Sequence, residues 1–118
     1  MNTQRYTKLK DRWRKEQQAR SQRSIEMKDA LNTRGVSVFK KFEIHKVVLF
    51  GSVLTHRSTV SSDIDLLVTP LSAVDYWKFC HELERMILYP VDIYTQNDDP
   101  VFVQKILQRG EIVYEIQP

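Results

Sequence analysis

Three aspartates and one Gly-Ser pair stand where folding alone gives little reason for them. Asp63 and Asp65 flank Ile64 at the start of Ile64-Asp65-Leu66-Leu67-Val68, an otherwise apolar run. Side chains alternate along a strand, so both carboxylates fall on one face, with Cα atoms about 6.5–7 Å apart. Two like charges that close call for a cation. Asp92 lies inside Pro90-Val91-Asp92-Ile93-Tyr94, again a carboxylate in a buried-looking strand, and it can face the pair if the two strands are neighbours. Strands disfavour Asp, and a buried carboxylate is costly unless paired or bound to metal. Hard cations such as magnesium take one or two carboxylates and complete their shell with water and substrate phosphate. Upstream, the apolar residues 47–50 run into Gly51-Ser52, and ten residues, Val53 to Ser62, separate that pair from Asp63. A glycine at a strand end lets a phosphate approach the backbone, and Ser52 with the amides after it can donate hydrogen bonds to it. Together these residues suit metal-assisted handling of a phosphate-bearing substrate.

The elements that must position them are readable from periodicity. Residues 5–31 hold no Pro or Gly and are rich in helix formers, which predicts one long helix. A kink at Gly35 and a helical pattern through Val38, Phe39 and Phe42 follow, then the strand 47–50. A polar stretch, 55–62, leads to the second strand, 64–68, closed by Pro70. Residues 71–88 read as an amphipathic helix with Val74, Trp77, Phe79, Leu83, Met86 and Ile87 inward and Ser72 as N-cap, Asp75 completing a capping box. A third strand spans 91–95, a helix spans 101–108 between the capping Asp99-Pro100 and Gly110 at C′, and Ile112 to Ile116 form a last strand. The order predicts an α/β (α+β) fold, a mixed β-sheet with packed helices preceded by a long N-terminal helix. One domain, 1–118, is expected, with a helical extension over 1–40 and a catalytic core over 41–118.

Composition narrows the function classes. The chain has 118 residues, 42% hydrophobic and 28% charged, an ordinary globular balance. Its longest apolar run, 47–50, is far below the roughly 20 residues of a membrane span, and the polar start lacks a signal-peptide core, so a cytoplasmic protein without a membrane partner is expected. A single cysteine, Cys80, leaves no internal disulfide, and His45, His56 and His81 lack zinc spacing, so any metal must be held by oxygen. Cys80 and His81 are read as packing residues of their helix, and Tyr76, Trp77 and Phe79 as its core aromatics. Residues 1–30 carry nine Lys/Arg against four Asp/Glu, a net +5, whereas 31–118 carry nine against eleven. The basic helix bears a sparse stripe of Tyr6, Leu9 and Trp13, which suits a surface that packs on a partner; the other reading is that the helix folds back and Trp13 completes the core.

The run Val47-Val48-Leu49-Phe50-Gly51-Ser52, followed after ten residues by Asp63-Ile64-Asp65-Leu66-Leu67-Val68, resembles the signature of the DNA polymerase beta-like nucleotidyltransferase superfamily in its compact form, the minimal nucleotidyltransferase (MNT). The resemblance spans roughly residues 40–115, with Tyr89-Pro90-Val91-Asp92-Ile93 similar to the strand of the third carboxylate and Ile106, Gly110 and Val113-Tyr114-Glu115 similar to the family's ending. It implies a nucleotidyltransferase fold, ATP as substrate, and two magnesium ions held by Asp63, Asp65 and Asp92. Gly51, Ser52 and Ser62 would then contact the nucleotide, and Asp92 would also polarise an incoming tyrosine hydroxyl. It further implies an antitoxin that transfers AMP from ATP to a tyrosine of a cognate HEPN-domain ribonuclease toxin. One departure stands out: the family commonly follows Gly-Ser with a small residue, Arg and Gly, where this chain has Val53-Leu54-Thr55-His56-Arg57. Arg57, or His56, is the shifted candidate for the triphosphate contact. Competing readings are an antitoxin that blocks its toxin by binding alone, a small-molecule nucleotidyltransferase, and a nucleic-acid module led by the basic helix. The last finds no support in an aromatic-rich sheet motif, so no nucleic-acid partner is expected.

Overall fold

The computed structural model describes residues 3–117. With no helix breaker before Gly35, α1 (Thr3–Arg34) runs unbroken for 32 residues, past the expected end at Leu31. Gly35 divides it from the short α2 (Val36–Lys41). Then follow β1 (Lys46–Phe50), β2 (Ile64–Thr69), α3 (Tyr76–Ile87), β3 (Val91–Tyr94), α4 (Pro100–Arg109) and β4 (Glu111–Glu115). The strands form one mixed sheet in the order β3-β2-β1-β4. β1 is antiparallel to both β2 and β4, and β2 is parallel to β3 through the α3 crossover. This is the mixed sheet with packed helices and a long leading helix that the sequence predicts.

Strand alternation divides the apolar residues between two faces. Val47, Leu49, Ile64, Leu66, Val68 and Ile93 pack against Met27, Leu31, Phe39, Phe79, Leu83 and Ile87, so the second half of α1 belongs to the main core along with α2 and α3. Val48 and Leu67 point to the other face, where α4 covers them with Ile106, and Phe50, Tyr94 and Val103 rim the patch. The first half of α1 stands clear of both, and Tyr6, Leu9 and Trp13 are exposed. A helix of this length spans about 48 Å, which accounts for a molecule measuring 62 × 30 × 25 Å.

Three local expectations are corrected. α3 begins at Tyr76, because Ser72 Oγ accepts from Asp75 N–H at 3.2 Å in a turn ahead of the helix. Val74 therefore lies in that turn, 92% exposed. The core face of α3 is Phe79, Cys80, Leu83 and Ile87, and at 3.6 residues per turn Trp77 falls on the opposite side, 78% exposed, with Met86 at the margin. Gly110 ends α4 in an extended conformation, φ −81° and ψ 173°. Its role is close packing, since a Cβ there would meet Val48 Cγ1 at 2.5 Å and Leu49 O at 2.9 Å.

The loop between β1 and β2 is fastened to α1. Ser24 Oγ donates to Ser58 Oγ at 2.6 Å and accepts from Ser58 N–H at 3.1 Å, both residues being buried. Ser24→Ala leaves two buried polar groups of Ser58 without that partner and is expected to cost about 1–3 kcal/mol. Chemical denaturation measures this directly, and an unchanged midpoint would show the loop to be held by other contacts.

Candidate active site

Strand register brings two of the three aspartates together. Asp65 on β2 lies beside Asp92 on β3 in the parallel pairing and opposite Phe50 on β1 in the antiparallel one. Adjacent strands sit about 4.8 Å apart, so the two carboxylates project side by side from the α4 face of the sheet. Asp63 lies one residue before β2 and is exposed, while Asp65 and Asp92 are half-buried. The proximity is felt electrostatically. The Asp65 carboxyl is pushed up from 3.8 to about 6, first by burial, then by the charges of Asp92 and Asp63. All three causes act in one direction, which marks a site that a cation would relieve.

Gly51 closes this arrangement from β1. It adopts φ +77°, in the left-handed region, and a Cβ there would overlap the Asp65 carboxylate. The backbone after β1 can thus lie against Asp65 only with glycine at this place. From Gly51 the chain makes a helical turn, with Thr55 N–H donating to Gly51 O at 3.2 Å and Arg57 N–H to Ser52 O at 2.9 Å. Ser52 is half-buried at the head of that turn, and Arg57 is exposed at its end. Ser62 is engaged within the loop, its Oγ accepting from Thr59 N–H at 2.8 Å.

Two features escape sequence reasoning. Tyr94 donates its hydroxyl to Asp92 Oδ2 at 3.1 Å, and its ring packs with Phe50 and Phe102 at centroid distances of 5.5 and 5.1 Å. The alternation of Asp92 and Tyr94 places both on one face, a signal available in the sequence. The contribution of Phe102 is not, since it comes from α4. A cavity of about 790 Å³ lies on the same sheet face at the far end of the strands, lined by Leu67, Thr69, Pro70, Val103, Leu107 and Ile116 among others, and none of the three carboxylates lines it.

The donor set fits a hard cation. Asp63, Asp65 and Asp92 offer only carboxylate oxygen, the charges of Asp92 and Asp63 act against ionised Asp65, and the Gly51 backbone lies directly against the Asp65 carboxylate. Among the described residues no group of three or more His, Cys, Asp or Glu is placed to hold a metal ion by itself. Asp65 and Asp92, in register on neighbouring strands, match a magnesium ion that takes one or two carboxylates and completes its shell with phosphate and water.

The fold has counterparts among known proteins. The family model described as polymerase beta, nucleotidyltransferase, matches residues 36–118. A protein of Methanocaldococcus jannaschii, provisionally named a protein adenylyltransferase, is 37% identical over 59 residues, which are 50% of this chain. The match spans only 59% of that relative's length. Among solved structures, one chain of a toxin-antitoxin crystal structure with AMP-PNP superposes with a TM-score of 0.63 at 20% identity, over 73% of this chain and 74% of the other. A chain from the complex of tri-AMPylated Shewanella oneidensis HEPN toxin with MNT antitoxin gives 0.51 at 18% identity, over 86% and 74%. At such identities the likeness is one of fold. No helix among the described residues is long and apolar enough to cross a membrane.

Proposed function

The chain belongs to the polymerase beta nucleotidyltransferase family, and from that premise we propose that it is an antitoxin that transfers AMP from ATP to a tyrosine of a HEPN-domain toxin. The observation that carries this reading is the row of Asp65 and Asp92, in register with each other, flanked by Asp63 and closed by Gly51. The names of the similar proteins support the choice of acceptor. Residues 41–118 supply the catalytic core of one domain, and 1–40 are its helical extension.

Asp63, Asp65 and Asp92 would hold magnesium, which would offset the charge of the carboxylates and of the ATP phosphates. Gly51 allows the nucleotide's phosphates to approach the backbone, and Ser52 with the amides of the following turn donates to them, Arg57 reaching in from the end of that turn. The acceptor tyrosine has a pKa of about 10 and needs help to lose its proton near neutrality. Asp92 accepts that proton, its carboxylate oriented by the Tyr94 hydroxyl. The tyrosine oxygen bonds to the α-phosphorus, the bond from that phosphorus to the bridging oxygen breaks, and pyrophosphate leaves. Positioning and electrostatics supply most of the rate.

The test is transfer of label from α-labelled ATP to a HEPN-domain protein, mapped to tyrosine. ATP should bind at least tenfold more tightly with magnesium than without, because neither charge set is satisfied alone; calorimetric titration reads this. Absence of label from the acceptor and equal affinity in both conditions would overturn the reading. One observation favours a second reading, an antitoxin that acts by binding alone: Val53-Leu54-Thr55 replaces the small-Arg-Gly that the family commonly carries. That protein would silence the toxin stoichiometrically and leave it unlabelled.

A further inference from the structure

The N-terminal half of α1 repeats the pattern of its buried half but leaves its apolar side chains exposed. Tyr6, Leu9 and Trp13 precede Ser24, Met27 and Leu31 by eighteen residues each, which is five turns of helix and therefore the same azimuth. The later three are 1%, 0% and 0% exposed, and the earlier three are 63%, 57% and 62% exposed. From Tyr6 to Arg20 every residue except Gln17 is exposed, an overhang of about 22 Å. The last contacts of α1 with the body before that overhang are to the loop between β1 and β2. There Ser21 Oγ meets His56 Nδ1 at 3.4 Å, and Arg23 Nη2 reaches Val60 O at 3.5 Å. The apolar stripe faces the side where the body of the domain lies and ends at Trp13, about 12 Å of helix short of the Ser21 contact with the loop that follows Gly51, with Glu16, Gln17 and Arg20 between. A groove of about 570 Å³ between α1 and this loop, lined by Arg20 and Arg23, Glu16 and Glu26, Thr59 and the exposed Val60 among others, lies between the overhang and the body. The overhang lies outside the family match, which begins at residue 36.

We infer that this overhang is a docking arm for the protein that the site modifies, gripping an apolar groove rimmed by carboxylates. The inference rests on the nucleotide-transfer reading only in naming the docked protein as the acceptor. Three apolar side chains at spacings of three and four fit the helix-in-groove mode of recognition, in which they anchor in pockets. Residues 6–23 carry seven Lys/Arg against two Asp/Glu, so the rim that complements them is acidic. The same charge opposes pairing with a second copy, whose arm would be equally basic. Nucleic acid would answer the charge but leave the Tyr6, Leu9 and Trp13 stripe without a partner, since phosphate contacts draw on cations. A protein gripped by the arm is tethered on the side of the Gly51–Asp63 loop, and the arm raises its concentration near the carboxylates.

The test places a photo-crosslinking residue at position 9, and separately at position 13, of the full chain in its native host. One acidic protein should be captured from both positions, and that same protein, purified, should take label from α-labelled ATP. The full chain carrying Leu9→Ser and Trp13→Ser should bind it about tenfold or more weakly. Its labelling should fall at low acceptor and recover at saturating acceptor, and binding should weaken with added salt. The melting temperature should stay unchanged, because both residues are exposed. Capture of nucleic acid, of a second copy, or of nothing overturns the inference, as does wild-type affinity of the variant. A captured protein that binds through the arm but is never labelled leaves the arm standing and removes the nucleotide-transfer reading, which separates the two.

Discussion

Replacing Asp63 and Asp65 together by Asn is expected to lower nucleotide transfer by about a thousandfold or more while leaving the fold intact and, without metal, slightly more stable. Charge stabilisation by a bound metal is worth several kcal/mol in a phosphoryl-type transition state, and about 4 kcal/mol is a factor of a thousand. The amides keep the shape of the carboxylates but cannot hold the cation. The stability side follows from the direction of the shift at Asp65. Burial and the neighbouring charges push its carboxyl from the ordinary 3.8 up to about 6 in the folded chain, so the folded protein binds this proton more tightly than the unfolded one. The cost of ionising Asp65 is thus fully present above pH 6 and is relieved as pH falls through 6 toward 3.8. With the half-exposed position of the group discounted for solvent screening, that cost is about 1–2 kcal/mol. The melting temperature of the metal-free wild type should rise between pH 7.5 and 5, and that of the double variant should rise less. A double variant that still transfers label at the wild-type rate would remove these aspartates from the active site.

The carboxylates were legible because the information is local. Alternation in a strand puts Asp63 and Asp65 on one face whatever the rest of the chain does, and an Asp amid Val91, Ile93 and Tyr94 is conspicuous in any fold. That Asp92 stands beside Asp65 depends on β2 and β3 being parallel neighbours in a particular register, which the sequence allows but does not impose. The packing of Tyr94 with Phe50 and Phe102 needs α4 laid over the same face, and the clamp from Ser24 to Ser58 joins residues 34 positions apart. Neither has a periodic signature. The misplacement of Trp77 has a different origin. Hydrophobicity alone does not decide inwardness: Phe79, Leu83 and Ile87 define the buried face by spacing and leave Trp77 on the far side. The long helix is legible because no breaker interrupts it, and its division into a buried half and an overhang is legible too, since the apolar stripe is sparse at Tyr6, Leu9 and Trp13, thins through residues 16–23 and resumes at Ile25, Met27, Ala30 and Leu31.

Gly51→Ala is expected to combine a loss of stability with a loss of activity of about a hundredfold, and the two can be traced to separate causes. An alanine held at φ +77° costs about 1–2 kcal/mol from backbone strain alone. Its Cβ would also overlap the Asp65 carboxylate, and forcing one more carbon into a filled site adds about 1–3 kcal/mol. Asp65 must then move, and displacement of a reacting group by about 1 Å is enough for a hundredfold loss in rate. A double-mutant cycle isolates the second cause. With Asp65→Ala as background the carboxylate is gone, so Gly51→Ala should cost only the strain, about 1–2 kcal/mol. Denaturant melts of the four proteins supply the cycle. Equal cost of Gly51→Ala in both backgrounds would mean that Gly51 is required for its backbone conformation only, and that it does not form the wall of the carboxylate site.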